Sequence, residues 1–204
     1  MHKEILTPEQ KDLLPILKMF SDKFGMVGGT AIALHIGHRR SIDYDLFTDR
    51  KFHNATIQKK ISVISPIDTV IWDEAEQYTV ILRGVRFTFL QYPYSIDYSQ
   101  KLNEIIKLPD LLTLAAMKAH TLGRRAKWKD YVDLYFIIKH YHGIHEIIAK
   151  AKDIFKQEFN EKLFRVQLSY YNNMDYSEKI YYLPGFETKD SVIKNALTQY
   201  SLES

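Results

Sequence analysis

Two aspartates one residue apart, Asp43 and Asp45, are the side chains of this sequence best suited to chemistry. The alternation of residues 43–47 predicts a strand, and on a strand side chains i and i+2 point to the same face. Two carboxylates that close repel each other unless a cation lies between them. Mg²⁺ takes one or two protein carboxylates and completes its shell with water and phosphate. The pair therefore indicates a site for Mg²⁺ or Mn²⁺.

An anion site is indicated just before the aspartates. Gly28 and Gly29 follow a short apolar run and precede a helix predicted over residues 30–36. Such a turn lets backbone N–H groups approach an anion at a helix N-terminus. Arg39 and Arg40 add donors that suit phosphate. Each motif alone is common in turns and on solvated strands, but their order and spacing favour a nucleoside triphosphate site.

These residues resemble a known family. Residues 28–30 (GGT) and 40–47 (RSIDYDLF) are similar to the first motif of DNA polymerase beta-like nucleotidyltransferases. More narrowly, they resemble the AbiEii-type toxins of abortive-infection (type IV toxin–antitoxin) systems. A second block, residues 110–118 (DLLTLAAMK) and 129–135 (KDYVDLY), resembles the helical motifs of that family.

The resemblance implies a metal-dependent enzyme that moves a nucleotide from a triphosphate to an acceptor, RNA such as a tRNA end. It also implies a growth-arresting toxin with a cognate antitoxin as partner. The implied catalytic residues are Asp43, Asp45, Lys118 and Asp133, the first two being the metal ligands. The residues expected to bind the phosphates are Gly28, Gly29, Thr30, Arg40 and Ser41.

The sequence departs from the polymerase beta-like pattern at one point. Those enzymes usually carry a third carboxylate on a later strand. Here that strand is predicted over residues 85–90, its inward polar residue is Thr88, and it has no acid. Either Asp130 or Asp133 substitutes for the missing carboxylate, or a single metal ion binds.

The charged residues of the helical motifs allow two interpretations each. Lys118 either reaches solvent or points into a cleft. Asp133 is a catalytic base or Lys118 partner, or else a structural ion-pair partner of Arg124 or Lys118, and Asp130 shares its helix face. The basic run at residues 124–129, which includes Arg124 and Arg125, is a solvated loop or contacts acceptor RNA with Trp128 stacking on a base.

Composition sets the broader limits. The chain has 204 residues, 46% of them hydrophobic, a net charge of +3 and no cysteine. It can bury a core, it contains no apolar run of membrane-spanning length, and we expect a cytoplasmic protein without membrane partners. The predicted fold is α+β: a nucleotidyltransferase-like half with a small mixed sheet and flanking helices (residues 1–95), then a helical half (residues 96–204). The cleft between the halves is the expected ligand site.

Two alternative functions stay open on sequence grounds. The missing carboxylate would suit a catalytically decayed module of the same fold that still binds nucleotide or RNA. An active transferase could also modify a protein or a small molecule instead of RNA.

Overall fold

The computed structural model describes residues 1–122 and 124–203, and they form two compact units. The first consists of Met1–His35 and Ser41–Asp110, the second of Ile36–Arg40 and Leu111–Ser204. The sequence predicts a boundary after residue 95. The structure continues the first unit to Asp110, because two short strands, β6 (Gln100–Leu102) and β7 (Ile106–Leu108), form a hairpin there.

Among the described residues, a mixed five-stranded sheet forms the centre of the first unit. Its strands, in chain order, are β1 (Gly25–Val27), β2 (Tyr44–Thr48), β3 (Thr69–Glu74), β4 (Gln77–Leu82) and β5 (Val85–Gln91). Their spatial order is β1-β2-β5-β4-β3. Strands β2 and β5 run parallel, and the other neighbours are antiparallel. The mixed sheet confirms the predicted α+β class.

Arg83 and Gly84 between two apolar segments predict a hairpin in the sequence, and β4 and β5 form that hairpin in the structure. Arg83 and Gly84 connect the two strands, and both have positive φ angles, 49° and 75°. Positive φ at both central residues is what a type I′ turn requires, and its twist matches that of the flanking strands. The hairpin brings β5 back along β4 and leaves its other edge for β2.

The helices of the first unit are α1 (Pro8–Asp12), α2 (Leu14–Phe20), α3 (Gly28–Ile36) and α4 (Asn54–Ile61). Thr7 followed three residues later by Gln10 predicts a capping box in the sequence, and the two residues form it at the start of α1. Rings of Phe20, Phe24 and Phe89 meet edge to face in the core, with centroids 5.0–6.0 Å apart. These contacts fix the sheet against α2, because such aromatic packing is directional as well as apolar.

The second unit is helical, as predicted. Its helices are α5 (Leu111–Leu122), α6 (Trp128–His140), α7 (Ile144–Phe155), α8 (Glu161–Leu168) and α9 (Asp190–Ser201). The predicted end of α5 at Gly123 lies outside the described residues. Residues 36–40 join this unit by pairing with a later segment: the Arg40 N–H donates to the Tyr181 carbonyl (2.8 Å), and the Leu183 N–H donates to the His38 carbonyl (3.0 Å). No helix in the described chain is both long and apolar enough to span a membrane.

Candidate active site

The two aspartates of the dyad, Asp43 and Asp45, lie on one face of the sheet. Along β2 the buried residues alternate with half-exposed ones, and Tyr44, Leu46 and Thr48 are the buried set. Asp43 immediately precedes β2, which begins at Tyr44, one residue after the predicted start at residue 43. Arg86 of β5 contacts Asp43, and Thr88 of β5 is opposite Asp45. Arg86 and Thr88 are alternate residues of one strand and share a face, so the two carboxylates lie on the same side of the sheet.

Gly28 lies directly against the Asp45 carboxylate. Val27 is the β1 partner of Asp45, so Gly28 follows at the same level of the sheet. A Cβ atom added to Gly28 would lie 2.1 Å from Asp45 Oδ2, and the residue has a φ of +75°. Gly28 is also the first residue of α3, where a helix favours a negative charge. Only glycine combines this backbone with this approach.

A Gly28→Ala variant should therefore lose stability and displace the Asp45 carboxylate. Strain at a positive φ costs roughly 1–3 kcal/mol, and the clash adds to it. Gly84→Ala is a matched control, because Gly84 has the same φ of +75° and no atom within 4 Å of its Cβ position. Thermal or urea unfolding of both variants measures the difference. Equal losses would contradict a specific Gly28–Asp45 contact.

A set of hydrogen bonds holds the segment 41–43 that leads into Asp43. The Thr30 hydroxyl lies 3.0 Å from Ser41 Oγ and also donates to the Asp43 carbonyl. Gln10 Nε2 donates to the Ser41 carbonyl (2.9 Å), and the Tyr44 hydroxyl donates to the Gln10 carbonyl (3.1 Å). Gln10 is fully buried, so it is a positioning residue that the sequence indicates only as a helix cap.

In the second unit, Lys118 and Asp133 are brought together, as expected from their motifs. Lys118 Nζ lies 3.1 Å from Asp133 Oδ2 and also contacts Asp130 Oδ1. Both aspartates are fully buried, and Lys118 is 6% exposed. Of the two structural pairings considered for Asp133, the structure shows the one with Lys118.

Arg39 and His38 complete this buried charge network. Arg39 binds Asp133 through two nitrogens, Nε to Oδ1 (2.7 Å) and Nη2 to Oδ2 (2.8 Å). His38 Nε2 lies 2.8 Å from Asp133 Oδ1. Bidentate guanidinium–carboxylate pairs are strong and geometrically specific. Arg39, which the sequence predicts to bind phosphate, therefore binds a carboxylate of its own unit instead.

Burial and neighbouring charges shift the pKa values of this network in opposite directions. Burial raises the pKa of Asp133, but the charges of Arg39 and Lys118 outweigh it and hold that pKa well below its ordinary value. Burial lowers the pKa of Lys118, and the charges of Asp130 and Asp133 more than restore it. Burial lowers the pKa of His38 against the pull of Asp133. Lys118 and Asp133 are thus charged, and His38 is neutral, near pH 7.

The basic run at residues 124–129 is largely paired within its own unit. Arg125 Nε donates to Asp130 Oδ2 (2.9 Å), and Arg124 lies 3.4 Å from Glu158. Lys127 and Lys129 both contact Glu178.

Trp128, Arg40 and Ser41 are three further residues that the sequence predicts as candidates to contact substrate, and the structure buries two of them. Trp128 is 3% exposed, and its indole N–H donates to Asp190 (3.2 Å). Of the two interpretations of the basic run, the one in which Trp128 stacks on RNA is wrong, because its ring is packed inside the helical unit. Arg40, in contrast, is exposed, and Ser41 is buried.

Comparison with known proteins decides the family. The family model described as "Nucleotidyl transferase AbiEii toxin, Type IV TA system" matches residues 16–173. The chain belongs to the AbiEii family. It is a nucleotidyltransferase of the kind found in type IV toxin–antitoxin systems, which confirms the resemblance read from the glycine, aspartate and helical motifs.

Other proteins are similar to this chain in sequence or in fold. An uncharacterized Aquifex aeolicus protein is 29% identical over 169 residues, which cover 80% of this chain and 74% of that protein. The crystal structure of a candidate nucleotidyltransferase from H. pylori has a TM-score of 0.61 at 16% identity, covering 95% of this chain and 91% of the other. The Mycobacterium tuberculosis toxin MenT4 also has a TM-score of 0.61, at 11% identity, covering 94% and 80%. The last two likenesses show a shared fold.

This AbiEii chain has an arginine beside its dyad that the sequence did not single out. In the parallel β2–β5 register Asp45 is opposite Thr88 and Tyr44 is opposite Phe87. The same register continued by one more residue puts Arg86 level with Asp43. Arg86 Nη2 donates to Asp43 Oδ2. Neither β5 position carries an acid, as predicted. No sequence signal marks Arg86, because its role follows from which strand lies next to β2.

An Arg86→Gln variant should bind Mn²⁺ several-fold more tightly than the wild-type protein. The guanidinium competes with a divalent cation for Asp43, and charges this close interact by about 4 kcal/mol near a protein surface before screening. Titration followed by electron paramagnetic resonance measures the Mn²⁺ affinity directly. Arg83→Gln, in the exposed β4–β5 turn, is the control. Weaker Mn²⁺ binding in Arg86→Gln would show that Arg86 supports the metal site instead of competing for it.

Proposed function

We propose that this AbiEii protein transfers a nucleoside monophosphate from a nucleoside triphosphate to an RNA acceptor, such as a tRNA end, with a divalent metal ion at Asp43 and Asp45. It acts as a toxin that a cognate antitoxin controls. The observation that carries the proposal is the shared face of the two aspartates beside the N-terminus of α3. Family membership supports nucleotide transfer and an antitoxin partner.

The residues present fit a hard divalent cation such as Mg²⁺ or Mn²⁺. Two half-exposed carboxylates supply the oxygen ligands that Mg²⁺ prefers, and water and substrate phosphate complete the coordination. In the described part of the chain no three His, Cys, Asp or Glu side chains cluster as a ligand set. Such a site suits one metal ion better than two. When bound, the ion offsets the charge on the attacking and leaving oxygens.

The glycine turn and the residues after it are proposed to bind the triphosphate. The first N–H groups of a helix have no partner within the helix, so those of Gly28, Gly29 and Thr30 can donate to phosphate. The Thr30 hydroxyl is already used on Ser41 and Asp43, which leaves its backbone N–H. Arg40 is exposed and can add a guanidinium, while Ser41 holds the loop.

Lys118 and Asp133 are proposed as positioning residues. Asp133 accepts from Arg39 and His38, and Lys118 lies against both Asp133 and Asp130. The network therefore fixes residues 38–40, which lead directly into Ser41 and Asp43 along the chain. The burial of Asp133 supports this role over that of a base that meets solvent and substrate.

The test is incubation of the protein with each of four labelled nucleoside triphosphates, Mg²⁺ and total RNA. We expect label to enter RNA, to stop with EDTA, and to favour one nucleotide. Parallel reactions with total protein and with metabolite extract identify another acceptor class. Absence of label in every fraction at several protein concentrations, with a folded protein, would refute the proposal.

A second candidate is a nucleotide-binding module without turnover. It is favoured by the absence of an acid on β5 and by the contact of Arg86 with Asp43. Calorimetry with nucleoside triphosphate distinguishes the two. The binding module predicts the same affinity with Mg²⁺ and with EDTA, whereas the transferase predicts tighter binding with Mg²⁺.

A further inference from the structure

A polar cavity lies at the carboxyl ends of β2 and β5 within the first unit. Its volume is about 150 Å³, and it follows both strands where the chain leaves the sheet. Among its lining residues are three tyrosines and three cations: Tyr92, Tyr94, Tyr98, Lys23, Arg50 and Lys107. We call this the tyrosine–lysine pocket. Neither the dyad nor the glycine turn contributes to it.

A series of aromatic rings connects the pocket to the face of the dyad. Phe47 shares the face of Asp45, two positions further along β2, a distance of roughly 7 Å. The Phe47 ring lies 4.9 Å from the Tyr92 ring, and Tyr92 lies 5.0 Å from Tyr94. Every nucleobase has a π-face, so such rings can stack successive bases without reading their sequence.

The walls of the pocket are fixed and its charge is positive. The Tyr98 hydroxyl donates to the Phe47 carbonyl (3.2 Å), and the Tyr98 ring fills the space where Gly25 lacks a Cβ. Lys107 Nζ lies 5.2 Å from the centre of the Tyr98 ring. Three cations face one lining carboxylate, Asp49. Cations interleaved with rings are the features of a groove that follows a phosphate backbone.

We propose that the tyrosine–lysine pocket binds the single-stranded end of the acceptor RNA, with bases on the rings and phosphates on the cations. This inference rests on the proposed function, because it assigns a place to its acceptor. The proposed function places the incoming triphosphate at the N-terminus of α3, where Gly28 lies against Asp45. The pocket lies beyond the other end of β2, so it suits the second substrate. The half-buried Tyr92 and Tyr94 are where bases would stack.

The experiment measures binding of a fluorescein-labelled ten-nucleotide single-stranded RNA by anisotropy, and of ATP with Mg²⁺ by calorimetry. Tyr92→Ala and Tyr94→Ala should each weaken RNA binding roughly tenfold, while Tyr92→Phe retains it. Lys107→Gln should lower the slope of log affinity against log salt by roughly 0.7. ATP affinity should stay unchanged in all four variants. Tyr141→Ala, an exposed tyrosine of the second unit, is the control and should bind as the wild-type protein does.

Four outcomes are separated by this design. Weakened RNA binding with unchanged ATP binding supports the pocket. RNA binding equal to that of the wild-type protein in both alanine variants overturns it, as does a wild-type protein that binds no single-stranded RNA. Parallel loss of ATP and RNA binding overturns it in favour of a nucleotide site. Transfer of label by the wild-type protein tests the proposed function separately, so that function can stand when the pocket fails.

Discussion

An Asp45→Asn variant is expected to transfer nucleotide at least roughly a hundredfold more slowly than the wild-type protein, because stabilising charge at a reacting phosphate contributes several kcal/mol. The substitution keeps the shape of the side chain and removes its charge. Asp45 is the carboxylate held against Gly28 at the start of α3, and it faces away from the buried side of β2. The substitution removes half of the negative charge of the proposed metal ligand set without opening the core.

The control for this experiment is Asp68→Asn, which changes an exposed aspartate of the same unit. It should transfer nucleotide at the wild-type rate. Mn²⁺ titration supplies a second readout, and Asp45→Asn should bind the ion more weakly. The assignment of the dyad would be wrong if Asp45→Asn retained full transfer and full Mn²⁺ affinity while folding normally. Slow transfer with unchanged Mn²⁺ affinity would instead give Asp45 a role in orienting substrate.

Local patterns were sufficient for most of the elements that carry the site. The capping box at Thr7 and Gln10, the turn at Arg83 and Gly84, and the long helices of the second unit each have a signal within a few residues. The β6–β7 hairpin has strands of three residues, which is too short for alternation to be visible. Because the sequence does not reveal this hairpin, it predicts the boundary between the two units near residue 95.

The parts of the site that depend on long-range pairing could not be predicted. The sequence shows that Asp43 and Asp45 share a face, because that follows from the period of a strand. It cannot show that β5 lies parallel to β2, and this register is what brings Arg86 to Asp43. Burial of Trp128 likewise depends on Asp190 and on the tyrosines packed around it. Its position in a basic run gave the opposite expectation.

The buried charge network also has one part that the sequence predicts and another part that it cannot predict. The helical spacing of Asp130 and Asp133 predicts a shared face, and Lys118 was among the expected partners. Arg39, 94 residues from Asp133, was assigned to phosphate because it adjoins the aspartate motif. The contact with Asp133 belongs to the second unit, to which residues 36–40 also belong. Only the folded chain reveals that a cation of the first motif neutralises an acid of the second.

An Asp133→Ala variant is expected to lose about 3–5 kcal/mol of folding free energy, the cost of removing one partner from a buried ion pair. It leaves the Arg39 guanidinium buried without its bidentate acceptor and removes one of the two carboxylates that hold Lys118. Urea unfolding measures the loss. Glu161→Ala, which removes a surface partner of Lys152 and Arg165, should cost no more than about 1 kcal/mol.

The pH dependence of unfolding distinguishes this network from simple loss of packing. The folded-state pKa values of Asp133 and Asp130 lie below the ordinary value of 3.8, so their contribution is complete above that pH and is lost as pH falls through the lowered values. His38 has a pKa lowered from 6.5 in the folded state, so its contribution to stability is also complete above pH 6.5. That contribution decreases as the pH falls from 6.5 toward the lowered value. Wild-type stability should therefore fall as pH decreases below 6.5, and Asp133→Ala should lose the part of that dependence that lies below pH 3.8. An Arg39→Ala, Asp133→Ala double variant should lose less folding free energy than the sum of the two single variants. Each single substitution leaves the opposite charge buried without its partner, and the double variant removes both charges. If the losses of the two single variants add fully, and if the decrease in stability at acid pH is unchanged in Asp133→Ala, the network does not stabilise this unit.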